Sequence, residues 1–335
     1  MSAARPMDGI GRRRVLGAIG GAAASLALPS MPAFAKGFPE RPVKIVVPFS
    51  PGGTTDLAAR LLAEMLQERT GATFVIDNKP GAGAAIGIDA VARAPADGYT
   101  LLYGSDALLL GPLTRSNLSF SMADFAPIAR VRVSSVYLAV DNKLPVNSVK
   151  ELVALAKSKP GQLSYGTGGV ATVLHIAGVQ FTTRTGADLI HVPYKGVAPA
   201  VTDVVGGNLN MAWAGTVDVA GFEKSGALKV IGMTGERRSL ALPNVPTMAE
   251  SGYPGLVVVN WNGVLAPKAT PPDVVKWLTE NVAAVAGSDE FVKRGEKLEI
   301  EPGAMLQGAG FQTFLTETNE RYRAVIKQAN IKLTD

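Results

Sequence analysis

The sequence predicts an α/β protein whose β-sheet is mostly parallel. From Val43 onward, short apolar runs alternate with segments of helical periodicity, a pattern typical of strands and helices that follow one another along the chain. The chain has 335 residues, of which 47% are hydrophobic and 18% charged, so it is globular and long enough for two domains of ordinary size.

The start of the chain is excluded from this fold, because residues 1–35 have the pattern of an export signal peptide. Three arginines at 12–14 precede an apolar run at 15–28, and the small residues on either side of Phe34 form a signal-peptidase site. The mature chain is therefore expected to begin at Lys36. The arginines also resemble a twin-arginine signal, and an ordinary Sec signal with a long basic region is the alternative.

The first part of the mature chain shows the alternation in order. A buried strand is predicted at 43–47, and an apolar helical stripe then runs from Leu57 to Gly71, since glycine commonly follows the last residue of a helix. The next strands are predicted at 74–76 and 100–103, with a helix between them that ends near Arg93.

The middle of the chain repeats this architecture. Ser148 and Glu151 have the spacing of a capping box, which predicts a helix running to Lys157. Strands are predicted at 129–133, 137–140, 163–165, 189–192, 209–213 and 228–231.

The last part of the chain is predicted to be rich in helix. Thr247 and Glu250 form a second capping-box pattern, and Pro271 opens a helix that ends near Gly287. A final long helix carries apolar residues from Phe311 onward on one broad face.

We expect two lobes from this order of elements, because a terminal helix usually packs back on the first lobe. One lobe is then expected to comprise residues 36–135 and 236–335, and the other residues 136–235.

Charge and cysteine content limit the classes of function. The formal net charge is +5, and removal of residues 1–35, which carry +3, leaves +2. The mature chain has no cluster of lysine and arginine, so nucleic-acid binding is not indicated. The chain has no cysteine, which excludes a lipid-anchored N-terminus and disulfides. We therefore expect a soluble periplasmic protein that is not inserted in the membrane. We also expect it to be a monomer.

The most informative loop follows the first strand. Ligands of parallel sheets bind beyond the carboxyl ends of the strands, where helix N-termini present unpaired amides and partial positive charge. Here the two glycines of Pro51-Gly52-Gly53 let the backbone approach a ligand, and Thr54 and Thr55 supply hydroxyls at the helix start. A purely structural role for this loop, as a turn and helix cap, remains the alternative.

Two further loops repeat this combination of glycine and hydroxyl groups. One contains Ser105 and Asp106, and the other contains Thr167, Gly168 and Gly169. We infer that two sets of main-chain donors converge on one anionic group. The substitution Gly53→Val is then expected to abolish binding without unfolding the chain.

Catalytic, cofactor and metal sites are not indicated. The glycines at 81–87 lack the spacing of a dinucleotide fingerprint, and neither a Walker loop nor a GxSxG elbow occurs. The two histidines, His175 and His191, lie among apolar residues and are expected to be hydrogen-bonded core residues. We therefore expect no cofactor, no metal and no catalytic residue.

The chain resembles one known family in many motifs that occur in the same order along the mature sequence. The motifs are Pro39-Glu40-Arg41-Pro42, Pro51-Gly52-Gly53-Thr54-Thr55-Asp56, Asp77-Asn78-Lys79-Pro80-Gly81-Ala82-Gly83, Ala96-Asp97-Gly98-Tyr99-Thr100, His191-Val192-Pro193-Tyr194-Lys195-Gly196 and Leu242-Pro243-Asn244-Val245-Pro246-Thr247. In these motifs the chain is similar to the Bug or TctC family, the substrate-binding proteins of tripartite tricarboxylate transporters.

The resemblance implies a periplasmic-binding-protein-like fold of type II, a Venus flytrap of two doubly wound α/β lobes with a carboxylate in the cleft. It also implies that the loop from Phe49 to Thr55 and the loop at 166–169, with Thr172 beside it, hold the carboxyl group. Further residues that the resemblance places at the site are Tyr194, Lys195, Gly196 and Trp261, although Trp261 could equally be a core residue. Many relatives have an acidic or amide residue where this chain has Ala214-Gly215-Thr216, so Thr216 or Asp218 is expected to take that position.

The function expected from the residues and the resemblance is capture of a small organic acid for a tripartite tricarboxylate-type membrane transporter. A periplasmic sensor for the same ligand class is an alternative. An enzyme on the same fold is a second alternative, for which Asp106, His175 and Lys195 are the candidate groups.

Overall fold

The computed structural model describes residues 37–296, 305–328 and 331, and the expected signal peptide and its twin-arginine motif lie outside these residues. The strands are β1 Val43–Val47, β2 Phe74–Asn78, β3 Thr100–Ser105, β4 Phe125–Ser135, β5 Tyr137–Asp141, β6 Leu163–Thr167, β7 Leu189–Pro193, β8 Met211–Ala214, β9 Leu228–Met233, β10 Val259–Pro267 and β11 Leu306–Gln307. The helices are α1 Thr54–Thr70, α2 Ala85–Ala92, α3 Ala107–Thr114, α4 Val149–Ser158, α5 Val173–Thr185, α6 Val197–Gly206, α7 Thr216–Lys224, α8 Pro272–Ala286, α9 Asp289–Arg294 and α10 Gly308–Gln328.

The strands form two mixed sheets with helices packed on them, which confirms the predicted α/β fold class. The expectation of a mostly parallel sheet is wrong, because β5 and β10 run antiparallel to both of their neighbours. The first sheet has the order β11-β4-β10-β3-β1-β2, in which β1 is parallel to β2 and β3 while β10 is antiparallel to β3 and β4. The second sheet has the order β7-β6-β8-β5-β9, in which β6 is parallel to β7 and β8 while β5 is antiparallel to its neighbours. Parallel strands thus carry the loops that lead into helices.

The chain passes between the two sheets twice. Strand β4 ends at Ser135 and β5 begins at Tyr137, so the outward crossing is almost direct. The return runs through residues 234–258 to Val259, the first residue of β10. Because β4 and β10 are paired in the first sheet, both crossings lie next to each other.

The helices begin and end largely where local chemistry predicts. Gly71 follows α1 in the left-handed conformation, with a φ of 71°. Ser148 caps α4 by accepting a hydrogen bond from the Glu151 amide at 3.2 Å. Proline opens α8, which ends before Gly287 as expected.

The prediction of a helix after Thr247 is wrong. The reciprocal hydrogen bonds of a capping box do form between Thr247 and Glu250, at 2.7 and 3.1 Å. The segment nevertheless remains a turn, because Gly252 adopts a φ of +96° and Pro254 follows two residues later.

Apolar faces account for the packing of both sheets. In the first sheet, Ile45 on β1 packs in a cluster with Leu62 of α1 and Leu278 of α8. In the second, a cluster contains Val201 and Val204 of α6. Among the described residues, no helix is both long and apolar enough to cross a membrane.

Candidate functional site

A cavity of about 570 Å³ is bounded by strands of the first sheet and by loops and helix starts that follow strands of both sheets. The structure brings the following predicted site residues to its wall: Phe49, Thr54, Thr55, Ser105, Asp106, Gly168, Thr172, Gly196 and Trp261. The remaining predicted residues are not part of the wall: Pro51, Gly52, Gly53, Thr167, Gly169, Tyr194, Lys195 and Thr216.

Five helices start at this cavity. The wall includes Thr54 and Thr55 in the first turn of α1 and residues at the N-termini of α3, α5, α6 and α7. The amides of a first helical turn have no partner within the helix, and the helix dipole places about half a positive charge there. Helices from both sheets thus direct partial positive charge into one space, which favours an anion.

The glycine loop after β1 is shaped by a buried carboxylate. The amide of Gly52, which has a φ of +88°, donates to Asp56 Oδ2 at 2.8 Å, and Asn78 Nδ2 donates to Asp56 Oδ1 at 2.8 Å. The Gly52 amide therefore forms its hydrogen bond with Asp56, in the first turn of α1. As a result, Thr54 and Thr55, rather than the two glycines, face the cavity.

The loop after β6 is held in place by two stacked histidines. The rings of His175 and His191 lie 4.1 Å apart and almost parallel. His191 Nε2 is 2.7 Å from the Thr167 hydroxyl, and His175 Nδ1 accepts the amide of Ala171 at 3.1 Å. Thr167 is fully buried by these contacts and supports the loop, whereas Gly168 and Ala171 reach the cavity wall.

Burial keeps the two histidine rings uncharged at neutral pH. It lowers the pKa of His191 to about 4, with a further contribution from the neighbouring His175, and it also lowers the pKa of His175. A neutral His175 can accept the Ala171 amide, whereas its protonated form cannot. Both histidines are thus hydrogen-bonded, as predicted, but only His175 is a buried core residue, because His191 is partly exposed.

The other site residues predicted near the second sheet differ in whether they line the cavity. The hydroxyl of Tyr194 donates to Asp203 Oδ2 at 2.7 Å, and Lys195 is exposed away from the wall. Thr216 is buried outside the cavity, whereas Asp218 lines it and accepts the Gly215 amide at 3.1 Å. Burial raises the pKa of Asp218. Of the two residues expected at this position, the structure brings only Asp218 to the cavity.

Asp106 connects three parts of the chain at the cavity wall. It accepts the Tyr322 hydroxyl at 2.6 Å and the Trp261 amide at 3.2 Å. Burial raises the pKa of Asp106 to about 7, although these hydrogen bonds act in the opposite direction. Trp261 lines the cavity and is also a core residue, since its ring packs edge-on against Phe311 and Phe314.

Sequence reasoning missed several residues of the wall. Polar residues on β4 and β10 line the cavity, and their alternation within two otherwise apolar strands was a signal that could have found them: Arg132, Ser134, Asn260 and Asn262. Val170 and Val217 also line it with exposed fractions of 53% and 66%, and no local signal marks these two valines.

Comparisons with known proteins agree with this geometry. The family described as "Tripartite tricarboxylate transporter family receptor" matches residues 58–331. Protein BugT of Bordetella pertussis is 33% identical over 309 residues, which cover 90% of this chain and 93% of BugT.

Two solved structures are similar over nearly the whole described fold. An R. palustris protein with adipate has a TM-score of 0.74 and 34% identity, covering 89% of this chain and 100% of that protein. MatC from Rhodopseudomonas palustris with bound malate has a TM-score of 0.67 and 26% identity, covering 86% of this chain and 100% of MatC. The family and its structural neighbours are periplasmic solute-binding proteins and not enzymes. The chain therefore belongs to the TctC family of tripartite tricarboxylate transporter receptors.

Proposed function

We propose that this protein binds a small organic carboxylate in the cavity and delivers it to the membrane subunits of a tripartite tricarboxylate-type transporter. The observation that carries the proposal is the meeting of five helix N-termini, from both sheets, at one cavity. Partial positive charge and first-turn amides are the features that hold a carboxylate without a fixed counter-ion.

Two relatives support the choice of ligand class. The R. palustris protein was solved with adipate and MatC with malate, and both ligands are small carboxylates. The role in transport rests on the family description, which is that of a transporter receptor.

We further propose that binding closes two lobes around the ligand. The lobes are residues 36–135 with 236–335, which contain the first sheet, and residues 136–235, which contain the second. An anion that accepts hydrogen bonds from both sets of helix N-termini interacts with both lobes only when they are closed. Its differential affinity then shifts the population toward the closed form.

The proposed site of action is the periplasm, where the protein works as a monomer after removal of residues 1–35. Mass spectrometry of the protein recovered from a periplasmic extract is expected to show an N-terminus at Lys36. A twin-arginine route predicts that replacing the arginines at 12–14 by lysine stops export, whereas a Sec signal tolerates this change because it keeps the positive charge.

A thermal-shift screen of the mature protein tests the binding function. The acids are malate, succinate, glutarate, adipate and citrate, with glucose and arginine as ligands of other classes. An acid present at one hundred times its dissociation constant is expected to stabilise the fold by about 2.7 kcal/mol. Stabilisation by none of the acids, confirmed by calorimetry, would contradict the proposal.

Uptake measurements test the transport role. Deletion of the gene is expected to abolish uptake of the identified acid, and a plasmid copy is expected to restore it. Undiminished uptake in the deletion strain would remove the delivery step from the proposal.

A further inference from the structure

Four polar side chains meet where the chain crosses between the two sheets. In the antiparallel pair β4 and β10, Arg132 lies opposite Asn262, and Ser134 lies opposite Asn260. Directly opposed residues project from the same face of a sheet, as do residues two apart on one strand. All four side chains therefore share one face, and all four residues line the cavity. We call them the crossing-strand quartet.

The guanidinium of the quartet is buried and oriented. Arg132 is 6% exposed and Asn262 is 3% exposed. Arg132 Nη1 donates to Asn262 Oδ1 at 3.1 Å, and Asn262 Nδ2 donates to the Gly104 carbonyl at 3.3 Å. The two hydrogen bonds fix which way the amide points, and the amide in turn positions the guanidinium.

The charges around the quartet favour an anion. A guanidinium keeps its positive charge in proteins, and burial strengthens its interaction with a nearby negative group. The carboxyl groups in the cavity wall, Asp106 and Asp218, already accept hydrogen bonds from protein groups. Burial raises the pKa of both, so they supply less negative charge than an ordinary aspartate.

The quartet differs chemically from the helix N-termini, which are the other anion-favouring feature of the cavity, although it adjoins the start of α3, where Asn262 pairs with Ser105. Its members lie on strands β4 and β10, whereas the helix N-termini follow the carboxyl ends of other strands or the loops after them. The cavity thus has two chemically different positions for negative groups. A ligand with a single carboxylate can occupy only one of them at a time.

We propose that the crossing-strand quartet is a subsite for the second anionic group of the ligand, with Arg132 as the residue that selects ligands carrying two such groups. This inference rests on the proposed function, because it assumes that the first carboxylate binds at the helix N-termini. The planar guanidinium holds a carboxylate through two parallel hydrogen bonds, and the side chains of Ser134 and Asn260 add further polar contacts.

Matched pairs of acids provide the test. Calorimetry of the mature protein compares succinate, glutarate, adipate and pimelate with butanoate, pentanoate, hexanoate and heptanoate, which have the same chain lengths but one carboxylate. We expect at least one diacid to bind about 10- to 100-fold more tightly than its monoacid partner. In Arg132→Gln, the ratio of diacid affinity to monoacid affinity is expected to fall to about 3-fold or less.

Arg130→Gln is the matched control. Arg130 lies on the same strand two residues earlier, with its guanidinium 4.4 Å from the centre of the Phe314 ring and outside the cavity wall. This variant removes the same charge, so a general electrostatic effect would change both variants alike. We expect Arg130→Gln to keep the wild-type ratio between diacid and monoacid.

A second variant keeps the test decisive if Arg132→Gln does not fold. Asn260→Ala leaves the Arg132–Asn262 hydrogen bond in place and is expected to lower the ratio by about 3- to 10-fold. Equal binding of every diacid and its monoacid by the wild-type protein, or a wild-type ratio in folded Arg132→Gln, overturns the subsite but leaves the proposed function standing. If neither these acids nor malate and citrate bind, the proposed function fails, and the subsite fails with it.

Discussion

The hydroxyl of Tyr322 donates to Oδ1 of Asp106 at 2.6 Å, although 216 residues separate the two along the chain. Asp106 immediately precedes α3 at the cavity wall, and Tyr322 lies on the long C-terminal helix α10. The second carboxylate oxygen accepts the Trp261 amide of β10. One buried carboxyl group therefore joins the end of the chain to the wall of the binding cavity.

Asp106 is expected to make stability depend on pH. Its pKa rises from 3.8 to about 7 on folding, chiefly because of burial, so the folded state holds a proton that the unfolded state releases. This contribution is present at low pH and is lost as the pH rises through about 7. Relative to Asp106→Asn, the wild type is expected to lose on the order of 4 kcal/mol of unfolding free energy between pH 4 and pH 7.

Urea unfolding at several pH values checks this expectation. Tyr322→Phe is a second variant, since loss of its hydroxyl removes a hydrogen bond that lowers the pKa of Asp106. In Tyr322→Phe the loss of stability is expected to extend to higher pH. A difference between wild type and Asp106→Asn that stays constant with pH would contradict the assignment.

The stacked histidines are expected to make stability depend on pH in the opposite direction, with a loss of stability as the pH falls. Burial, with a contribution from His175, lowers the pKa of His191 from 6.5 to about 4, so the folded state resists protonation. The stabilising contribution is present above pH 6.5 and is lost as the pH falls through about 4. Relative to His191→Gln, the wild type is expected to lose roughly 3 kcal/mol over this range.

Nuclear magnetic resonance titration measures the pKa values of the two histidines directly. The imidazole resonances of His191 are expected to titrate with a midpoint near pH 4, and those of His175 below the usual histidine value. A midpoint near 6.5 for His191 would show that the ring is solvated rather than stacked against His175.

Substitution by valine is expected to change carboxylate affinity differently at two glycines. A Cβ on Gly168, which lines the cavity, would stand 3.1 Å from Val197 Cγ2, so Gly168→Val is expected to crowd the cavity and lower carboxylate affinity by at least about 10-fold. Gly53 lies outside the cavity wall and has a φ of −77°. A Cβ on Gly53 would meet nothing within 4 Å. Gly53→Val is therefore expected to preserve the fold and to reduce affinity less than Gly168→Val.

Calorimetry with the acid identified in the screen ranks the two variants, and circular dichroism confirms that each is folded. This order differs from the expectation based on sequence alone, in which Gly53→Val abolishes binding. Abolished binding in folded Gly53→Val with retained binding in Gly168→Val would favour the sequence-based expectation.

Two glycines within helices provide a matched test of packing. A Cβ on Gly178 of α5 would overlap the ring of Tyr165, so Gly178→Ala is expected to lower stability by about 1–3 kcal/mol. A Cβ on Gly221 of α7 would meet nothing within 4 Å, so Gly221→Ala is expected to raise stability by up to about 1 kcal/mol. Thermal and urea unfolding of both variants measures the difference, and a Gly178→Ala variant as stable as the wild type would contradict close packing of α5 on Tyr165 of β6.

The sequence by itself determined the succession of strands and helices, the family and the loops that approach the cavity. These features depend on local chemistry, because apolar periodicity, a glycine after a helix and a hydroxyl before one act within a few residues. Thr54 could therefore be assigned to a helix start and Gly168 to a loop that leads into a helix, and the structure places both residues at the cavity.

Only the tertiary structure decided which groups meet across long separations. Arg132 and Asn262 are 130 residues apart and become neighbours through the pairing of β4 with β10, and Tyr322 reaches Asp106 only when α10 packs against the first sheet. Within each loop, hydrogen bonds also decided which residue faces the cavity, as Asp56 does by accepting the Gly52 amide. The physical reason is that strand register and side-chain orientation depend on burial over the whole sheet, which no single segment of the chain contains.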